Sequence, residues 1–294
     1  MTKGGAEMKK EEINIRDPFV VYEEGKYYLY GTRAKSFGSN TSGFDVYVSE
    51  NLKDWSEPCV CFDSGEYGLN TGVNWAPEVH KYHGKYYMFA TFTQKNGLRG
   101  TYSLCSDRLT GPFIPHSKGA LTPNAWECLD GTLYVDETGV PYLIFCHEHT
   151  QILDGTICYA RLNESLDALD GEVVTLFCAS SYDKVNPIKG NHFVTDGPFM
   201  YRSKTGGLFM IWSSFVKGRY AEFVLKFKDG KLGTEFEHMQ PLLDNDGGHG
   251  MIFSDGKHTY FTYHTPNKSL SERPEFCLIE DCGDVIHINR DEKV

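Results

Sequence analysis

Four polar residues of types that do acid–base chemistry recur at one place in the pattern of this chain. Asp17, Asp130, Asp196 and His249 each stand just before or at the start of a short apolar strand, and Trp75-Ala76-Pro77-Glu78 holds the same place in a fifth. Paired carboxyl groups can divide the work of breaking a glycosidic bond. One, protonated, assists the leaving oxygen; the other, ionised, activates water. A third carboxylate nearby can hold the acid's proton on by like-charge repulsion. Aromatic rings suit the faces of sugars, and Trp75, Trp126 and Trp212 are the candidates. Each residue also has an ordinary reading. Asp17-Pro18, Asp130-Gly131 and Asp196-Gly197-Pro198 are turn formers, a lone histidine is commonly structural, and a tryptophan also suits a core. Their repeated position sets them apart.

The elements that must bring these residues together form a repeat. A turn carrying Gly, followed by an aromatic-rich strand, occurs five times: EEGKYYLYGT from Glu23, YHGKYYMFAT from Tyr82, DETGVPYLIFC from Asp136, SKTGGLFMIWSS from Ser203 and SDGKHTYFTYHT from Ser254. The marker glycines, Gly25, Gly84, Gly139, Gly206 and Gly256, lie 59, 55, 67 and 50 residues apart. A short strand precedes each turn, so each unit reads as a β-hairpin. About four strands fit in such a period, which is that of a propeller blade. The expected fold is all-β: a five-bladed β-propeller of four-stranded antiparallel blades around a central channel. Inner strands line that channel, so the residues at their heads would face one cavity. A β-sandwich would explain the short strands but not the period. The one helical candidate, NESLDAL from Asn163, reads as a turn. Residues 1–12 are expected as an N-terminal extension, disordered or forming a closing strand, and 13–294 as a single catalytic propeller.

Composition agrees with many strands and turns. The 294 residues include 30 Gly, 18 Tyr and 19 Phe. The net charge of −11 and the absence of a basic cluster argue against nucleic acid. No apolar run approaches the roughly 18 residues of a membrane span. The N-terminal sequence has no apolar leader, and the nine Cys residues of the whole chain contain no CxxC pair. A cytoplasmic protein with its cysteines used as small apolar residues is the expectation.

The ordered motifs resemble glycoside hydrolase family 43 from about Ile15 to Glu280. They are Arg16-Asp17-Pro18, Trp75-Ala76-Pro77-Glu78-Val79-His80, Leu129-Asp130 with Asp136, Asp196-Gly197-Pro198, and Gly248-His249-Gly250 followed by Tyr263-His264 and Arg273. The resemblance implies an inverting β-xylosidase or α-L-arabinofuranosidase acting on terminal residues of short oligosaccharides. It makes Asp17 the general base, Asp130 the carboxylate that orients the acid and raises its pKa, and Asp196 the general acid. Arg273 would bind sugar hydroxyls and Trp75 would border that subsite. His249 would lie near a calcium ion or a water cluster in the channel, with no cofactor required for the chemistry. The family's usual fourth motif is Glu-Gly-Pro, one methylene longer. That leaves three readings open: Asp196 as the acid, another carboxylate (Glu148, Glu127 or Glu222) in its place, or a propeller that binds sugar without cleaving it. Glu127-Cys128 also resembles the acid motif of related fructan hydrolases. Loops 33–43 and 180–192 are expected to choose the sugar.

Overall fold

The computed structural model describes residues 8–38 and 42–293. Five antiparallel sheets follow one another along the chain and form the five blades of a propeller. Their inner strands are Ile15–Glu23, Asn74–Tyr82, Cys128–Val135, Asp196–Arg202 and Gly248–Ser254. Each returns through a tight turn into a second strand: Lys26–Arg33, Lys85–Thr93, Pro141–His147, Leu208–Val216 and Thr259–Thr265. The marker glycines have φ between 81° and 91°, the left-handed backbone that glycine adopts without a Cβ penalty. In the first two turns the residue before glycine, Glu24 and His83, is left-handed as well, the arrangement whose twist suits a two-residue hairpin.

Five apolar clusters hold the ring together, one between each pair of neighbouring blades. Alternation along the second strands builds them, because successive side chains point to opposite faces. In the fourth blade Leu208, Met210 and Trp212 pack toward the third, while Phe209 and Ile211 pack toward the fifth. The ring closes where Ile13, Phe19, Leu29 and Trp55 meet Met251, Phe253, Tyr260 and Phe276. Of the expected N-terminal extension, residues 1–7 lie outside the described residues. Met8–Lys9 pair antiparallel with Asp54–Trp55 on the rim of the first blade. Lys10 reaches Glu275, and Asn14 donates to the Glu272 carbonyl, tying this segment to the fifth blade.

Among the described residues the α-helix is a single turn, His149–Ile152, and no helix is long and apolar enough to cross a membrane. The segment from Asn163 is a turn region. Five cysteines are buried as expected, but Cys59 and Cys282 are exposed and Cys105 and Cys178 half-buried.

Candidate active site

A bulge opens each inner strand. The pairing register breaks between Arg16 and Phe19, Trp75 and Glu78, Leu129 and Thr132, Asp196 and Phe199, and Gly248 and Met251. At each break one residue is left-handed: Asp17 (φ 52°), Ala76 (46°), Asp130 (54°), Gly197 (49°) and His249 (53°). Four of the five are not glycine. Such backbone costs about 1–3 kcal/mol per residue and tends to gather at functional sites, where bulges re-aim side chains. The shared geometry corrects the expected equivalence. Asp17, Asp130 and His249 hold one position of the pseudo-fivefold pattern, but Asp196 holds the position before it, level with Arg16 and Trp75.

Asp17 and Asp130 are buried and Asp196 is half-buried, and the three differ in proton affinity. Burial alone would raise Asp17. The charges of His249 and Arg16 and a 2.7 Å hydrogen bond from Thr32 outweigh it and hold the carboxyl below its ordinary range. Burial and the neighbouring Asp17 push Asp130 far up, against the opposing effect of the Gly197 N–H, which donates to its Oδ2 at 3.0 Å. Burial, then Asp130, raises Asp196 to about 7, despite His249 and a 2.9 Å hydrogen bond from Tyr220. The site therefore holds one carboxylate that stays ionised, Asp17, and two carboxyls with raised proton affinity, Asp130 and Asp196.

Two histidines order this cluster. His249 Nδ1 lies 3.2 Å from Asp17 Oδ1 and 3.8 Å from Asp130 Oδ2. Its ring lies against Gly197, where an added Cβ would approach it to 2.7 Å. His264 is wholly buried. Its Nδ1 accepts the Asp17 backbone N–H at 3.2 Å, which leaves Nε2 to donate to Asn267 at 3.3 Å. Burial and Arg16 lower its pKa to about 3, so it serves as a neutral acceptor.

The fit to a calcium ion is narrow. Calcium takes six to eight oxygen ligands, and no group of three or more His, Cys, Asp or Glu among the described residues is arranged to hold a metal. The buried His249 Nε2 has no hydrogen-bond partner among them. It offers one point of attachment to a hydrated ion or an ordered water, not a protein cage.

A pocket of about 230 Å³ opens over the carboxyls. Asp17, Asp130, Asp196 and His249 form its floor with Arg16, and Trp75 and Glu148 line it. Phe37 and Ile188 reach it from the two loops expected to shape it. Phe37 stacks on Trp75 at 5.0 Å, and Arg16 sits 4.0 Å over the Phe37 ring.

Several candidates lie elsewhere. Trp212 is fully buried between the third and fourth blades, against Phe177 and Phe223, because strand alternation turns it from the channel. Arg273 is taken up by the N-terminal segment: it donates to the carbonyls of Glu11 and Glu272 and does not line the pocket. Trp126 stacks on His147 at 4.2 Å, outside the lining. Glu222 is buried behind the fifth bulge, where Ser213 and the Gly250 N–H engage one oxygen and burial raises its pKa to about 8. It too is outside the lining. Glu127 and Glu148 both bind Arg99, so their oxygens are engaged by a guanidinium. Sequence reasoning missed Arg99, which also sits 5.1 Å over Trp75. It missed Tyr220 as well. Both belong to third strands, outside the repeated motif.

The propeller's channel gathers carboxyls of opposed proton affinity, a set able to divide acid and base work. The glycosyl hydrolases family 43 model matches residues 12–279, and the chain belongs to that family. An endo-arabinase from Bacteroides thetaiotaomicron superposes with a TM-score of 0.85 at 35% identity, over 93% of this chain and 96% of that one. An extracellular endo-α-(1→5)-L-arabinanase of Bacillus subtilis is 27% identical over 145 residues, 45% of this chain and 42% of that protein. Xylosidase/arabinosidase 43A of Humicola insolens is 26% identical over 172 residues, 53% of this chain and 50% of its own. The matched stretch thus spans half or less of each of these two relatives.

Proposed function

We propose that the chain hydrolyses α-L-arabinofuranosidic bonds of arabinan-type oligosaccharides with inversion at the anomeric carbon. The observation that carries the mechanism is the opposite drift of two carboxyls on one pocket, Asp17 held low and Asp196 raised to about 7. Asp17 takes a proton from water as the oxygen attacks the anomeric carbon. Asp196 gives its proton to the departing glycosidic oxygen as the C–O bond breaks. The products leave Asp17 protonated and Asp196 ionised, and exchange with solvent restores both. Burial, with the Asp130 carboxyl beside it, keeps the proton on Asp196. Arg16 offers a sugar a cationic donor, and Trp75 with Phe37 borders the same pocket with apolar surface. The arabinan activity named for two of the similar proteins favours arabinofuranosides over xylosides.

The test sets linear α-1,5-arabinan and its oligosaccharides beside xylo-oligosaccharides and nitrophenyl glycosides, with the first-formed anomer read by proton NMR. Turnover of the arabinosides to the inverted product, lost in Asp17→Asn, supports the proposal. Xylosides cleaved faster would overturn the substrate, a retained anomer would overturn the mechanism, and binding without turnover would overturn both.

A further inference from the structure

Five backbone amides hold the same place at the five bulges, and four find the same kind of partner. The Ala76 N–H donates to Thr32 Oγ1 at 2.7 Å, Asp130 to Thr91 Oγ1 at 3.0 Å, His249 to Ser213 Oγ at 2.7 Å and Asp17 to His264 Nδ1 at 3.2 Å. Every acceptor stands on the second strand of the preceding blade, opposite the residue before that blade's bulge. Thr32 faces Arg16, Thr91 faces Trp75, Ser213 faces Asp196 and His264 faces Gly248. A buried amide must find an acceptor, and these side chains supply one.

The third blade breaks the rule. Its position opposite Leu129 is Cys146, fully buried among Ile144, Ile157 and Trp212. A thiol is a weak acceptor. The Gly197 N–H, the fifth amide of the set, goes instead to Asp130 Oδ2 at 3.0 Å. A hydroxyl in the equivalent place of the next blade, on Ser213, captures its bulge amide at 2.7 Å.

We propose that Cys146 is a positioning residue for the Asp130 carboxyl: by presenting no good acceptor, it releases the Gly197 amide to fix that carboxyl beside Asp17 and His249. The inference rests on the function proposed above, in which Asp130 serves the acid. The bond joins the third and fourth blades and sets Asp130 relative to Asp196, the neighbour of the donating residue. A hydroxyl at position 146 would take the amide back and free Asp130 to turn.

The experiment compares Cys146→Ser with Cys146→Ala on an arabino-oligosaccharide and obtains the crystal structure of Cys146→Ser. The serine variant is expected to lose about tenfold or more in kcat with KM little changed, since a misplacement of about 1 Å can cost ~10²-fold. Its introduced hydroxyl should accept the Gly197 N–H. The alanine variant, which also lacks a good acceptor, should keep kcat near wild type. A role in packing alone predicts the reverse order, because alanine leaves the larger hole. Wild-type kcat in Cys146→Ser, an equal loss in Cys146→Ala, or a Gly197 amide still on Asp130 in the serine variant would overturn the inference. Asp130→Asn serves as the companion. Full activity there sinks the functional reading, and the amide's place in the Cys146→Ser structure then decides the contact by itself.

Discussion

Tyr220 donates its phenol to Asp196 Oδ2 at 2.9 Å, from the third strand of the blade whose inner strand begins with that aspartate. Burial, then the charge of Asp196, raises Tyr220 well above its ordinary pKa, so the phenol remains a donor. The bond favours the Asp196 anion and therefore opposes the burial that keeps its proton on. Tyr220→Phe should move the high-pH limb of kcat upward and lower kcat several-fold through looser placement of the acid. A pH–rate series on both proteins checks this, and a limb that stays put would show that Tyr220 does not govern the acid.

The wild-type profile should be bell-shaped. Asp17 must be ionised, and its lowered pKa sets an acid limb below the ordinary carboxylate range. Asp196 must be protonated, so activity should fall as pH rises through about 7. Asp196→Ala should remove the high-pH limb and cost about 10²–10⁴-fold on oligosaccharides. The loss should be far smaller on a dinitrophenyl glycoside, whose leaving group needs no proton. Equal losses on both substrates would give the acid's role to another group.

The five hairpins were legible because glycine turns and aromatic strands are local features. The partition of the core followed from simple alternation. The site was legible in its membership but not in its register. One residue inserted at each bulge resets which neighbour faces the channel, so Asp196 looked equivalent to Asp17 and Asp130 although it stands one place earlier. Trp212, which the sequence left open between sugar platform and core, is a core residue for a related reason. Its parity along the strand places it between blades, next to Met210 and opposite Phe223. Arg99 and Tyr220 reach the site from strands with no repeated motif, and only the closed ring shows where they point.

Arg99 should matter for stability as well as for the pocket. Its guanidinium binds both Glu127 and Glu148 and covers Trp75. Glu148 is buried while Arg99 and Glu127 are half-buried, so removing the guanidinium leaves one buried carboxylate uncompensated, at a cost of up to about 3 kcal/mol. Arg99→Ala should therefore lower Tm by several degrees and raise KM. The double variant Arg99→Ala/Glu148→Gln should recover part of the lost Tm, because it removes the more deeply buried of the two stranded charges. Calorimetry on the set decides it; no recovery would mean that Arg99 stabilises through packing on Trp75.

His238 gives the protein a reason to weaken in acid, away from the active site. Its ring stacks on Tyr182 at 4.5 Å, and neither ring nitrogen has a hydrogen-bond partner among the described residues. Burial lowers its pKa to about 4, with Asp183 opposing. The unfolded chain, with an ordinary value near ~6.5, binds a proton between those limits that the folded chain refuses. Stability from this residue is thus complete above about 6.5 and is lost as pH falls toward 4. His238→Phe keeps the stack and removes the titration. Its Tm should exceed that of the wild type by a margin that widens from pH 7 to pH 4.5. The carboxyls held low elsewhere, such as Asp17 and Asp255, weaken both proteins alike and cancel in the difference. A margin independent of pH would assign the change to packing and leave His238 without a part in acid unfolding.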